Sequence, residues 1–275
     1  MLNESNSFLV GLIGCIGNDE YGKIIKKELE IVGVSTDFVE LNKDELTSRC
    51  GCGILKKERC LMPQIRASSK LSMDFVKQNI ESILKYSILF VEGYFLIECW
   101  DIVKYLCNEF KNQNKKIAFT LSAVFMVEFH WNKIKELAEM ADMIFCNEEE
   151  AAAFVKMSEK DVSKDDVENS KSIHLSLSSK NRTLIVTCGK NPVIVSQFDY
   201  NKKDFSHFVK AEVKPVQNDE IVDTNGCGDS FVGGFMSEYL NGSDLEKCAL
   251  AGNYASSVVI RHIGCTFPSK PNFKH

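Results

Sequence analysis

The chain lacks an excess of positive charge, a cysteine pair spaced for a metal, and an apolar run long enough to cross a bilayer. Its 33 Lys and Arg stand against 38 Asp and Glu, a formal net charge of -5. No basic field is available to hold a phosphate backbone, so nucleic-acid binding is not expected. None of the 11 cysteines forms a CxxC, and the five histidines are scattered without an HExxH, which leaves the common zinc signatures unsupported. An odd cysteine count in 275 residues does not suit a small disulfide scaffold. Reduced thiols packing as small hydrophobes, in a cytosolic (or nuclear) protein, are expected instead. The apolar stretch Phe8–Ile16 is too short to span a membrane and has no basic region before it, so no membrane role is expected. There is no internal repeat and no low-complexity tract.

What is present is ordinary globular composition, 44% hydrophobic and 26% charged, in a length that suits one large α/β domain with a small appendage. Short apolar runs read as strands at Phe8–Ile16, Ser87–Val91, Lys116–Leu121, Met143–Cys146, Leu184–Thr187 and Val193–Val195. Most are apolar on both faces, the pattern of a sheet covered on both sides. Between them, Lys23–Val32 places Ile25, Leu29 and Val32 on one helical stripe with Gly33 as its stop. Ser243-Asp244-Leu245-Glu246 reads as a capping box for a helix that buries Leu245, Cys248, Ala249, Gly252, Ala255 and Val259. This alternation predicts a mostly parallel sheet flanked by helices. Val34–Pro63 breaks the rhythm with short strands at Asp37–Glu40 and Cys50–Leu55 and a Lys56–Arg59 turn, a small β appendage. The polar stretch Ser163–Asn181 reads as a surface helix plus loop.

The most specific segment is Asp223-Thr224-Asn225-Gly226-Cys227-Gly228-Asp229-Ser230-Phe231-Val232-Gly233-Gly234. Two glycines at a loop-to-helix junction let successive amides face one point, where the helix dipole also favours an anion. Asp229 at the rim is either a proton acceptor for a hydroxyl nucleophile beside a bound phosphate or a residue that only decorates the helix start. Gly11-x-x-Gly14-x-x-Gly17 does not have the GxGxxG spacing of a dinucleotide site.

That run resembles the C-terminal signature of the ribokinase (PfkB) family of carbohydrate kinases. Gly14-Cys15-Ile16-Gly17-Asn18-Asp19, Gly93-Tyr94-Phe95, Leu121-Ser122-Ala123 with Phe129, Asn147-Glu148-Glu149-Glu150, Thr187-Cys188-Gly189 and the tail Gly264-Cys265-Thr266-Phe267-Pro268 match in order. The resemblance implies a single ribokinase-like domain over 1–275 with a remnant β lid at about 34–63. It implies transfer of the γ-phosphoryl of ATP to a nucleoside, adenosine above all, with Mg²⁺ required. A catalytically impaired nucleotide binder, or a kinase of the same family with another acceptor, is the alternative. Asp229 would be the base, and the amides around Gly226, Cys227 and Gly228 the anion site. Asn147 and Glu150 would help hold Mg²⁺ through its waters, although acidic residues at a helix start also suit the dipole. Thr187, Gly189 and Asn253 would line the nucleotide. Phe95 and Phe129 either enclose the base or belong to the core, and Arg59 either swings towards the phosphates or is a solvated turn residue. Two departures stand out. Cys227 occupies a position that is usually alanine, and only a few residues precede Phe8, where family members carry a further strand-rich segment that grips the ribose. The expectation is a shortened chain or a weakened nucleoside site.

Overall fold

The computed structural model describes residues 9–55, 58–178, 180–268 and 272–273, and of residues 54, 55, 58 and 59 the backbone alone. The chain divides into two units, one of residues 1–89 and 95–115, the other of 90–94 and 116–275.

In the first unit the apolar run expected as one strand is two, β1 (Val10–Gly11) and β2 (Gly14–Gly17). They pair in parallel with different partners, β1 with β3 (Val34–Ser35) and β2 with β4 (Val39–Asn42), so the chain steps aside at Leu12 and Ile13. Between them lies helix α1 (Glu20–Ile31), whose N-cap Asp19 accepts the Gly22 amide at 2.9 Å. Gly22 is the only fully buried residue of α1. Of the expected stripe, Ile25 and Val32 are exposed and Leu29 is half-buried, so it lies largely open to solvent, as do Tyr21, Ile24 and Ile31. The β appendage is a two-stranded antiparallel hairpin of β5 (Arg49–Leu55) and β6 (Glu58–Gln64). Lys56 and Lys57 of its expected turn lie outside the described residues. Helix α2 (Met73–Ile83) starts at Ser72, whose hydroxyl accepts the Phe75 amide, and β7 (Ile88–Val91) follows. Helices α3 (Phe95–Glu98) and α4 (Trp100–Asn112) close the unit, with Ile102, Val103, Leu106, Cys107 and Phe110 buried along α4 at helical spacing.

The second unit carries the sheet that positions the site. Its elements in chain order are β8 (Lys116–Thr120), α5 (Val124–Phe129), α6 (Trp131–Met140), β9 (Met143–Asn147), α7 (Glu148–Met157), α8 (Asp166–Ser176), β10 (Thr183–Cys188), β11 (Asn191–Asp199), β12 (Asp204–Ala211), α9 (Cys227–Leu240) and α10 (Leu245–Val259). The six-stranded order is β12-β11-β10-β9-β8-β7, parallel through β8, β9 and β10 and antiparallel at β11 and β12. Strand β12 was not expected. Its alternating exposure leaves one face in water, so its sequence lacks the continuous apolar run of the central strands.

Two further expectations are refined. Helix α8 is the expected surface helix, but its inward face is largely polar: Asn169, Ser170, Ile173 and His174 are buried. Polar as they are, Ser170 and His174 bond to the buried Ser196 hydroxyl at 2.7 and 3.1 Å. At α10 the N-cap is Asp244, accepting the Lys247 amide at 2.8 Å, while the Ser243 hydroxyl turns to Glu238. Phe145 of β9 meets Phe90 on one side and Phe235 of α9 on the other, with ring centroids 6.1 and 5.3 Å apart. Edge-on aromatic contacts of this kind each contribute about 0.5–1.5 kcal/mol beyond burial and fix α9 on the sheet. Helix α10 crosses α9 so closely that a Cβ on Gly252 would fall 2.7 Å from the Phe231 ring.

Candidate active site

The loop after Ile221 becomes α9 at Gly226, which holds φ at +75° as the N-cap, a backbone state most side chains avoid. Among the described residues no side chain caps this end. By helix geometry its first amides have no partner one turn back. Ser230 N is the first to donate into the helix, to Gly226 O at 2.8 Å, and Cys227 N makes a long contact with Thr224 O at 3.4 Å. The amides of Gly228 and Asp229 are therefore the main donors on offer, with Cys227 partly engaged in the turn. A Cβ on Gly228 would meet nothing within 4 Å, so no neighbour demands glycine here, whereas a closely approaching ligand would. Asp229 is exposed in the first turn, beside those amides.

Asn147, Glu150, Thr187 and Gly189 come together at the C-terminal ends of β9 and β10, where Asn147 and Thr187 are register partners. Open α/β sheets bind ligands at this end of their strands. Asn147 and Glu150 form a full capping box on α7: the Glu150 amide donates to Asn147 Oδ1 at 2.8 Å, and the Glu150 carboxylate accepts Asn147 N at 3.0 Å and Nδ2 at 3.1 Å. The helix-start role is thus realised. Glu150 is also 5% exposed, and burial, opposed by the Asn147 amide and reinforced by the charges of Glu148 and Glu149, pushes its pKa up to about 7. Burial likewise raises Glu148, whose Oε1 lies 3.7 Å from where a Gly189 Cβ would sit. Sequence reasoning treated Glu148 only as a helix-start acid; no local pattern marks its closeness to Gly189.

Oxygen donors of Asn147, Glu148, Glu150 and Thr187 suit a hard cation. Among the described residues no group of three His, Cys, Asp or Glu could hold a metal alone. Mg²⁺ keeps most of its waters and leans on substrate phosphates, so it needs few direct protein ligands. The Glu150 carboxyl group, its pKa raised by burial and by the charges of Glu148 and Glu149, has a donor chemistry that a cation would suit.

Asn253 does not point freely into a pocket, since its Nδ2 donates to Glu212 O at 3.1 Å. Phe95 lies half-buried on α3 in the first unit, and Phe129 is 79% exposed at the end of α5. Arg59 occupies β6 opposite Ile54, and its side chain lies outside the described residues. The sequence reading missed an aromatic pair at the strand ends, Tyr94 and Phe125, both 44% exposed with ring centroids 5.8 Å apart. They are brought together where Ser122 (φ +69°) accepts the Gly93 amide at 2.9 Å. The Leu121-Ser122-Ala123 match carried the signal two residues short of Phe125.

Two curated relatives, adenosine kinase 1 and adenosine kinase 2 of Arabidopsis thaliana, are 34% and 32% identical to this chain. Each alignment covers 95% of it, and 75% and 74% of the relative. The solved adenosine kinase of Anopheles gambiae, in complex with P1,P4-di(adenosine-5) tetraphosphate, is 25% identical with a TM-score of 0.85, over 98% of this chain and 80% of that one. This protein has a ribokinase-like α/β fold. The family model described as pfkB family carbohydrate kinase matches residues 7–272. That span takes in both the Gly226–Asp229 turn and the β9 and β10 ends, and the chain belongs to the pfkB family of carbohydrate kinases.

Proposed function

We propose that this kinase transfers the γ-phosphoryl group of ATP to the 5′-hydroxyl of adenosine, giving ADP and AMP, a reaction of purine salvage. The observation that carries the reading is the uncapped start of α9, open at Gly228 and flanked by Asp229. Asp229 accepts the hydroxyl proton as the O–P bond forms and the bond from Pγ to the leaving ADP oxygen breaks. The amides of Gly228 and Asp229, assisted by Cys227 on its Gly226 hinge, face the oxygens that gain charge in the transition state. Donors fixed in advance are worth most at that moment. Thr187, Gly189 and Asn253 lie along the nucleotide. Asn147 and Glu150 would hold Mg²⁺ through its waters, and the ion would neutralise phosphate charge. Tyr94 and Phe125 offer ring faces for the base, a contact of about 1–3 kcal/mol in other base-stacking sites. Phe95 and Phe129 are proposed further base contacts, and Arg59 a phosphate contact.

The test is incubation with labelled ATP, Mg²⁺ and adenosine beside an Asp229→Asn control. Wild type should form AMP, and the control should lose at least a hundredfold in kcat, the lower range for a general base. Equal product from both removes Asp229 from the chemistry. Nucleotide binding without product from either removes the kinase reading.

A further inference from the structure

The phosphate cradle is held from behind by one carboxylate that none of the roles above uses. Asp223 lies three residues before Gly226 and is half-buried. Its Oδ1 accepts Asn225 N at 2.9 Å and Asn225 Nδ2 at 2.8 Å, and its Oδ2 accepts Gly264 N at 2.9 Å. Gly264 lies beyond α10, in a left-handed conformation at φ +70°. Asp223 therefore joins two segments far apart in sequence.

Neighbouring contacts run the same way. The amides of Val222 and Asp223 both donate to Ile260 O, at 2.9 and 3.2 Å. Ser256 of α10 donates its hydroxyl to Cys227 O at 2.7 Å. Cys265, next to Gly264, packs its Sγ against Gly226, 2.8 Å from where a Cβ would be, and stands 3.8 Å from Ser230 Oγ. The end of α10 and the turn after it thus form the back wall of the cradle. Among these ties, the Asp223 carboxylate alone bonds both the loop that enters α9 and the Gly264 turn.

We propose that Asp223 is a positioning residue for phosphoryl transfer: by clasping Gly264 and Asn225 it holds Gly226 in its left-handed state and keeps the α9 amides aimed at one point. This rests on the kinase reading above. The clasp calls for a carboxylate, because Asn225 N, Asn225 Nδ2 and Gly264 N, which it joins, are all N–H donors. An asparagine side chain has one acceptor oxygen and an NH₂ group, so it can serve the Asn225 donors or the Gly264 amide but not both. Loss of aim weakens contacts that matter most in the transition state, so kcat should suffer while adenosine binding does not.

The experiment compares wild type with Asp223→Asn in three readouts: kcat and KM for adenosine, the urea midpoint, and the rate at which Cys265 is carbamidomethylated, followed by peptide mass spectrometry with exposed Cys60 as internal reference. A loss in kcat of about tenfold to a hundredfold is expected, with KM for adenosine within about twofold. The transition should stay cooperative. Labelling of Cys265 should accelerate several-fold relative to Cys60, because the turn that carries it is no longer clasped. Unchanged kcat in a folded variant overturns the proposal, as does a parallel rise in KM and fall in urea midpoint with unaltered Cys265 labelling, which would mark a merely structural role. Should Asp223→Asn not fold, Asp223→Glu carries the same comparison, since it keeps both acceptors but shifts them by one methylene. If wild type itself makes no AMP, the activity reading has failed, and the labelling comparison then decides the clasp alone.

Discussion

Replacing Glu150 with glutamine should make the protein more stable and a worse kinase, and the gain in stability should grow with pH. The Glu150 carboxyl group is nearly inaccessible, and burial holds its pKa at about 7 against 4.5 for the ordinary group. The folded chain therefore binds this proton more tightly than the unfolded chain. The contribution to stability is complete below pH 4.5 and is lost as pH rises through 7. Those two values make the buried Glu150 a burden of about 2 kcal/mol at pH 6, where it is held protonated, and about 3 kcal/mol at pH 8, where it is ionised. Glutamine is also accepted at the third position of a capping box, and its carbonyl can still take the Asn147 amide. It carries no charge to desolvate. Urea unfolding of wild type and Glu150→Gln in metal-free buffer from pH 5 to 8 should show a difference that is small at pH 5 and widens to about 3 kcal/mol at pH 8. Activity with Mg²⁺ and ATP should fall at least about tenfold, a usual loss when a residue that orients metal ligands is removed. A difference that does not vary with pH, or a variant less stable than wild type at pH 8, refutes the reasoning.

His174 gives the opposite slope. Burial, with the Arg182 charge second, lowers its pKa from 6.5 to about 4, so wild type should lose about 3 kcal/mol as pH falls through that window. Urea midpoints of His174→Gln between pH 7 and 4 should lack that acid limb. Gly226→Ala meets both a left-handed backbone and the Cys265 sulfur. It should cost about 1–2 kcal/mol from the backbone alone and abolish turnover. Adding Cys265→Ala should recover stability only in part, as thermal unfolding would show. A half-buried thiol at Cys227 should make the kinase sensitive to iodoacetamide, with ATP protecting. Inactivation of Cys227→Ala at the wild-type rate would place the reactive group elsewhere. Phe125→Ala should raise KM for adenosine about tenfold or more with little change for ATP, as steady-state kinetics would show, if the ring stacks on the base.

Sequence alone determined what depends on neighbours along the chain. Both-face apolar runs marked β8, β9 and β10, because a strand covered on both sides needs no alternation. The glycines and aspartate of 223–234 marked a helix start, since the left-handed residue and the first turn are local properties. The Asn147–Glu150 spacing already contained the capping box. Tertiary structure decided what depends on distant contact or on exclusion of water. Strand β12 exists through its ladder with β11, not through its own apolar content. The stripe on α1 is amphipathic by sequence, yet whether anything covers it is a matter of packing, and it lies open. Tyr94 meets Phe125, and Asp223 meets Gly264, across gaps in the chain that no periodicity encodes. Glu150 reads as an ordinary helix-start acid, and only its burial turns it into a group that titrates near neutrality, because the penalty for charge comes from removing water.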